Sequence, residues 1–243
     1  MSEQQKTSAD TASGTTVSLG DERAVHKVVS DTLFGLWSIV NNLTRLRPSK
    51  RERYRVTIFG SARTQAGHWV YDEVRRMSAA LAEMGCDIVT GGGPGLMMAA
   101  NEGAERGRAS SGSSNLGIRV DLPFEQHANP FVGQVFEHES FFTRLHHFVL
   151  VSDAYVVVPG GIGTVLESLM IWQLLQVRHL SDTPLIFAGP MWRGLVDWTR
   201  TYMLRPGEEL ASAQDLAIPT CVDTADEAIA LLRDHHARWR ARQ

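Results

Sequence analysis

Apolar residues return along this chain with two different periods, and the alternation between the two predicts its architecture. Val25, Val28, Val29, Leu33, Leu36, Trp37, Val40 and Leu43 recur at steps of three and four, the spacing that lines one face of an α-helix. Pro48 sets the end of that helix. Short apolar or β-branched runs then occupy Tyr54 to Phe59, Asp87 to Thr90, Leu116 to Val120, Ala154 to Val158, Leu185 to Ala188 and Thr220 to Val222, with a further short strand at Val132 to Glu137. Between them the period becomes helical, at His68 to Met84, from Leu96, at Phe141 to Val151, after Gly163, at Trp192 to Leu204 and at Ala225 to Arg240, the last capped by Thr224. Strands alternating with helices of this length need crossover connections, which build a parallel sheet covered on both faces. The predicted class is α/β, a Rossmann-like doubly wound parallel sheet, with ligands beyond the carboxyl ends of the strands.

Composition divides the chain further. Residues 1–20 are rich in Ser, Thr, Gln and Gly; they carry too few apolar side chains to offset the entropy of ordering them and are expected to form a disordered tail. Residues 21–50 hold the amphipathic helix, whose apolar face must meet either the domain's own sheet or another subunit, and 51–243 form the Rossmann-like domain. With 243 residues, 43% of them hydrophobic and 21% charged, the chain can bury one sizeable core. A net charge of −3 and a pI near 6.3 argue against nucleic acid or an acidic membrane as the main partner. No apolar leader core and no run of about eighteen apolar residues is present, so the protein is expected to be cytoplasmic. Cys86 and Cys221 stand alone beside apolar strand-like residues, as buried free thiols of a reducing compartment do.

Two glycine turns, each between a strand and a helix, carry the candidate chemistry. Pro159, Gly160, Gly161, Ile162, Gly163 and Thr164 follow one strand, and Gly91 to Gly95 follow another. Such turns aim backbone N–H groups and a positive helix end at an anion. The dinucleotide fingerprint would need glycine at Leu96 and Leu166, and no Gly-Lys-Ser/Thr follows either turn. Two phosphate cradles on one sheet predict a single mononucleotide held between them. The expected contacts are Gly160, Gly161, Gly163 and Thr164 on one side, Gly92, Gly93, Gly95 and Met97 on the other, and Gly60 and Ser61 of the first turn close by, with Arg63.

Glu167 would reach the ribose from the helix after Pro159, in that helix's first turn. The spacing Thr164-x-x-Glu167 equally fits a capping box, and spacing alone leaves both readings open. The pairs His146-His147 and His235-His236 are expected to be solvated or capping rather than metal ligands, since adjacent histidines on a helix point about 100° apart; His147, one turn from Arg144, could line the pocket. Trp172, Trp192 and Trp198 are expected to be core or interface anchors rather than base-stacking platforms.

GGGPGLM at Gly91, FFTRL at Phe141 to Leu145 and PGGIGTVLE at Pro159 to Glu167, in that order, resemble the LOG family, long labelled as lysine decarboxylases. The resemblance covers about Tyr54 to Val222. It implies a seven-stranded sheet, an oligomer built from dimers (dimer or hexamer), no cofactor, and hydrolysis of a nucleoside 5′-monophosphate, AMP or an N6-modified cytokinin riboside monophosphate, to free base and ribose 5-phosphate. It also implies catalytic roles for Arg144 and Glu167. Leu145 stands where the family has a lysine after that arginine, and Met98 where it often has an acid; both departures bear on substrate preference. A decarboxylase using pyridoxal phosphate would need a lysine Schiff base, and Lys6, Lys27 and Lys50 all precede the first strand. The alternative is a non-catalytic nucleotide or molybdenum-cofactor carrier on the same fold, which would keep the glycine cradles without needing Arg144 and Glu167. The base pocket is expected from the irregular stretch Asp121 to Asn129 or from a neighbouring subunit.

Overall fold

The structure is a computed structural model and describes residues 18, 20–43 (the backbone alone for 33–43), 52–120 and 127–243. Most of the expected tail, Pro48 and residues 121–126 of the expected irregular stretch lie outside the described residues. Two units are distinguished, Met1–Lys50 and Arg51–Gln243. The first contains α1 (Glu22–Leu43). Asp21 Oδ1 accepts the Ala24 N–H at 3.1 Å, satisfying one of the orphan amides at that helix start.

The second unit is a seven-stranded, all-parallel sheet with helices on both faces. Its elements in chain order are β1 (Arg55–Phe59), α2 (Trp69–Glu83), β2 (Asp87–Thr90), α3 (Leu96–Ser111), β3 (Asn115–Val120), β4 (Gln134–His138), α4 (Phe141–Val151), β5 (Ala154–Val157), α5 (Ile162–Gln176), β6 (Leu185–Ala188), α6 (Pro190–Met203), β7 (Leu204–Arg205), β8 (Glu208–Glu209), α7 (Ala213–Leu216), β9 (Pro219–Val222) and α8 (Ala225–Ala241). Sheet order is β4-β3-β2-β1-β5-β6-β9. From β1 the chain runs outward one way to β4, then crosses back to β5 on the other side of β1. That reversal, between β1 and β5, is the switch point, beyond whose carboxyl ends open α/β sheets bind their ligands.

Alternation along the buried strands supplies two separate cores. Val56, Ile58, Val156 and Val158 face α2, α3 and α8. Phe59, Tyr155, Val157 and Phe187 face α4, α5 and α6. Trp172 and Trp192 are buried in the second core, whereas Trp198 is 52% exposed and leans on Tyr202.

Three features depart from the sequence reading. The two-residue hairpin β7–β8 and the single turn α7 are too short to leave a period. His235 and His236 are not solvated. They extend the buried stripe Ala228, Ile229 and Leu232 of α8 at helical spacing, His235 Nδ1 lies 2.5 Å from the Tyr54 hydroxyl, and burial pushes His236 below the usual histidine range. Cys86 is buried and Cys221 partly so, both as free thiols. Among the described residues no helix is long and apolar enough to cross a membrane.

Candidate active site

Three neighbouring strands, β2, β1 and β5, each end in a glycine-bearing turn, and main-chain bonds stitch the turns together. Ser61 N donates to Pro159 O at 3.0 Å and Leu96 N donates to Ser61 O at 2.8 Å. The contact is close enough to require glycine: at Gly95, where φ is +70°, a Cβ would lie 2.3 Å from Ser61 O.

The β5 turn leads into α5 with no side chain capping it; Gly161 is its N-cap residue. By contrast α2, α4 and α8 are capped by His68, Ser140 and Thr224. The first bond of α5 runs from Val165 N to Gly161 O, so the amides of Ile162, Gly163 and Thr164 are left for a ligand. Positions where Gly161 and Gly163 would carry side chains face open space, while Thr164 packs its buried side chain onto Gly160, where a Cβ would lie 2.2 Å from its hydroxyl oxygen.

The β2 turn is held by a buried polar network. Gly92 N donates to Thr90 Oγ1 at 2.9 Å, Asn129 Nδ2 donates to Gly93 O at 2.9 Å, and Asn129 N donates to Gly92 O at 2.9 Å. Asn129 Nδ2 also donates to Asn101 Oδ1 at 2.9 Å, and Asn101 Nδ2 donates to Asn115 Oδ1 at 2.6 Å. The carbonyls of Gly92 and Gly93 are thereby turned inward. The amides of Gly93 and Gly95 keep no hydrogen-bond partner among the described residues. The sequence reading missed Thr90, Asn101 and Asn115, and named Asn129 only as the end of the stretch expected to form the base pocket. The signal was there in Asn101, a polar residue on the otherwise apolar face Ala99, Ala100, Ala104 of α3. Replacing Asn129 with Leu should leave Gly93 O and Asn101 Oδ1 short of a donor, costing about 1 to 3 kcal/mol. Thermal melting should show that loss, and steady-state kinetics should show KM raised with kcat little changed.

Arg144 and Glu167 meet beneath these turns. Arg144 Nη1 lies 3.1 Å from Glu167 Oε1, and both side chains are nearly buried, at 13% and 11% exposure. Arg144 Nε donates to Ile118 O at 2.9 Å, and its guanidinium lies over the Phe148 ring at 5.2 Å. Its Nη2 and the Met97 sulfur lie 2.5 and 2.6 Å from where a Cβ of Gly91 would stand. Glu167 is not a capping residue. Because α5 begins at Ile162, Glu167 is an interior residue of its second turn rather than its first, and its carboxylate turns to Arg144 instead of the helix start. Burial pushes the Glu167 carboxyl up to about 7, with Arg144 pulling the other way. A carboxyl poised there can be ionised or protonated at physiological pH.

Other predicted residues are placed less centrally. Ser61 Oγ accepts the Arg63 amide at 3.0 Å, and Met98 packs against the α2-side core. His147 Nδ1 lies 2.9 Å from His138 Nε2, which ties α4 to the end of β4. Arg119, unremarked in the sequence, is buried, with its stem against Gly92 and an ion pair to Glu137 at 3.6 Å. Among the described residues no three His, Cys, Asp or Glu side chains gather as a metal site would need.

The pyrimidine/purine nucleotide 5′-monophosphate nucleosidase of Escherichia coli K12 is 28% identical over 161 residues, 64% of this chain and 35% of that protein; the chain thus spans about a third of the length of the curated relatives it matches. The molybdenum cofactor binding protein of Rippkaea orientalis superposes with a TM-score of 0.58 at 16% identity, covering 76% of this chain and 98% of its own. The molybdenum cofactor carrier protein of Chlamydomonas reinhardtii gives 0.57 at 17%, covering 76% and 99%. At such identities these structures show the fold alone. The model of the family described as "Possible lysine decarboxylase" matches residues 97–232, a span that includes Arg144, Glu167 and the turn between β5 and α5. The chain belongs to that family, the LOG family.

Proposed function

We propose that this chain hydrolyses the N-glycosidic bond of a purine nucleoside 5′-monophosphate, AMP or an N6-modified relative, releasing free base and ribose 5-phosphate. The observation that carries this reading is the buried Arg144–Glu167 pair, 3.1 Å apart, set beneath two glycine turns in which the amides of Gly93, Gly95, Ile162, Gly163 and Thr164 have no partner among the described residues while that of Gly92 is spent on Thr90. The 5′-phosphate takes the amides of α5's first turn and those of Gly93 and Gly95. Breaking the bond from C1′ to the base leaves the electron pair on the base nitrogen and positive charge on the ribose. Ionised Glu167 stabilises that charge and accepts a proton from the attacking water. The oxygen of that water ends on C1′ and the base leaves with a proton, so water alone balances the reaction. Arg144 holds the carboxylate in place as a fork of fixed donors.

A nucleotide or molybdenum-cofactor carrier would use the same cradles but has no need of a desolvated carboxylate with a raised pKa, and that favours hydrolysis. The experiment is free-base release from AMP, GMP, CMP and isopentenyl-AMP, with adenosine as control. The expected result is release from a purine monophosphate, and turnover of adenosine lower by roughly a hundredfold or more, since binding energy from the phosphate is spent at the reacting centre. Tight AMP binding with no base released would establish the carrier instead.

Two further expectations join this reading. Free Cys86 and Cys221 suit a cytoplasmic setting. A homo-oligomer is supported by α5, which is apolar on nearly every side and yet leaves Ile162, Leu166 and Leu169 at 86%, 51% and 41% exposure; a helix of that composition is normally enclosed. Sedimentation velocity of Leu166→Asp should give a smaller species than wild type, and an unchanged one would count against that face.

A further inference from the structure

Behind the β5 turn lies a second concavity of about 280 Å³, above the carboxyl ends of β5, β6 and β9. Trp69, Val74, Met77, Pro159, Ala188 and Met191 wall it. It opens on the α2 and α8 side of the sheet, where Val158, Val74 and Met77 belong to one core, whereas α4 and α5, which carry Arg144 and Glu167, pack on the other. Two large apolar side chains stand exposed at its rim, Trp69 at 66% and Met191 at 44%. Exposed apolar surface of that size next to a hollow marks a contact site.

The polar groups of the lining fix the kind of molecule that fits. Glu73 is paired with Arg76 at 2.9 Å and Asp223 with Arg193 at 2.7 Å. Thr224 spends its hydroxyl accepting the Glu227 amide at 3.2 Å. Every charged side chain of the wall thus already has its counter-ion, and a charged ligand entering would lose water without gaining a partner. We propose that this hollow is a binding site for a small uncharged apolar molecule of one or two rings, separate from the nucleotide crevice. Its occupant rests on Val158 and Pro159. Val158 Cγ2 lies 2.5 Å from where a Cβ of Gly60 would stand, and Pro159 O holds the Ser61 amide. Occupancy therefore presses on the junction of the β1 and β5 turns.

The test is titration of the purified full chain with 6-propionyl-2-(dimethylamino)naphthalene, an uncharged bicyclic probe, followed by its fluorescence. Saturable binding of one probe per chain is expected. 5-(Dimethylamino)naphthalene-1-sulfonate, a related ring system with a sulfonate, should bind about tenfold more weakly or worse. Ala188→Leu and Ala225→Phe fill the hollow from two different elements, and each should weaken the uncharged probe at least about tenfold while circular dichroism stays unchanged. If one variant fails to fold, the other carries the test. No saturable binding, equal binding of the sulfonate, undiminished binding to the folded filled variants, or binding that tracks a change in sedimentation would each overturn the proposal. None of these readouts depends on base release.

Discussion

Glu167→Gln is expected to lower kcat for base release from AMP by about 10² to 10⁴, the usual worth of one positioned acid or base, while KM changes little. The amide keeps the shape and can still accept from Arg144, and in the proposed binding mode the phosphate takes main-chain amides that the substitution does not touch. Activity assays with binding of AMP measured separately will check this; a variant that loses binding and turnover together would show that Glu167 shapes the crevice instead. The same substitution has a stability signature. The Glu167 carboxyl titrates near 4.5 in an open chain and near 7 when folded, so between those values the folded protein holds a proton that the unfolded chain has lost. Wild type should therefore lose stability as pH rises across that window, by up to about 3 kcal/mol at 1.4 kcal/mol per pH unit. Glu167→Gln lacks that decline, and melting temperatures taken from pH 4.5 to 8 should diverge in the variant's favour.

Arg144→Gln is expected to move the pH profile as well as lower it. Arg144 is the group that pulls the Glu167 carboxyl down against its burial. Without it the carboxyl rises further, and the ionised form needed as base appears only at higher pH. The acid limb of kcat, expected near 7 in wild type, should shift alkaline by about one to three units, the range an adjacent opposite charge commands. A lost structural contact would scale the whole profile down without moving its limb, and that outcome would reduce Arg144 to a packing residue.

Most of the sheet could be read from periodicity alone, because strands buried on both faces and amphipathic crossover helices leave unmistakable patterns. The helix Phe141–Val151 and the strand Asp87–Thr90 fall where the apolar spacing puts them. What escaped was set by tertiary contact. Asn101, Asn115 and Asn129 are 14 to 28 residues apart and become one network only when α3, β3 and the segment before β4 converge. His235 and His236 looked polar by type, but their spacing continued an apolar stripe. The site was partly legible. Its glycine turns announced themselves by composition, whereas the ambiguity at Thr164 and Glu167 dissolved only once the helix start was fixed at Ile162. Nothing in residue spacing foretold that Arg144 would settle against Gly91.

Because Ser61 joins its neighbours through its own amide and carbonyl, the floor of the crevice is largely indifferent to side-chain identity outside its glycines. Under the proposed function, anion affinity would thus persist through sequence drift that remodels everything around it. Descendants of such a scaffold could exchange one nucleobase for another, or abandon turnover for storage, without inventing a new way to hold the phosphate.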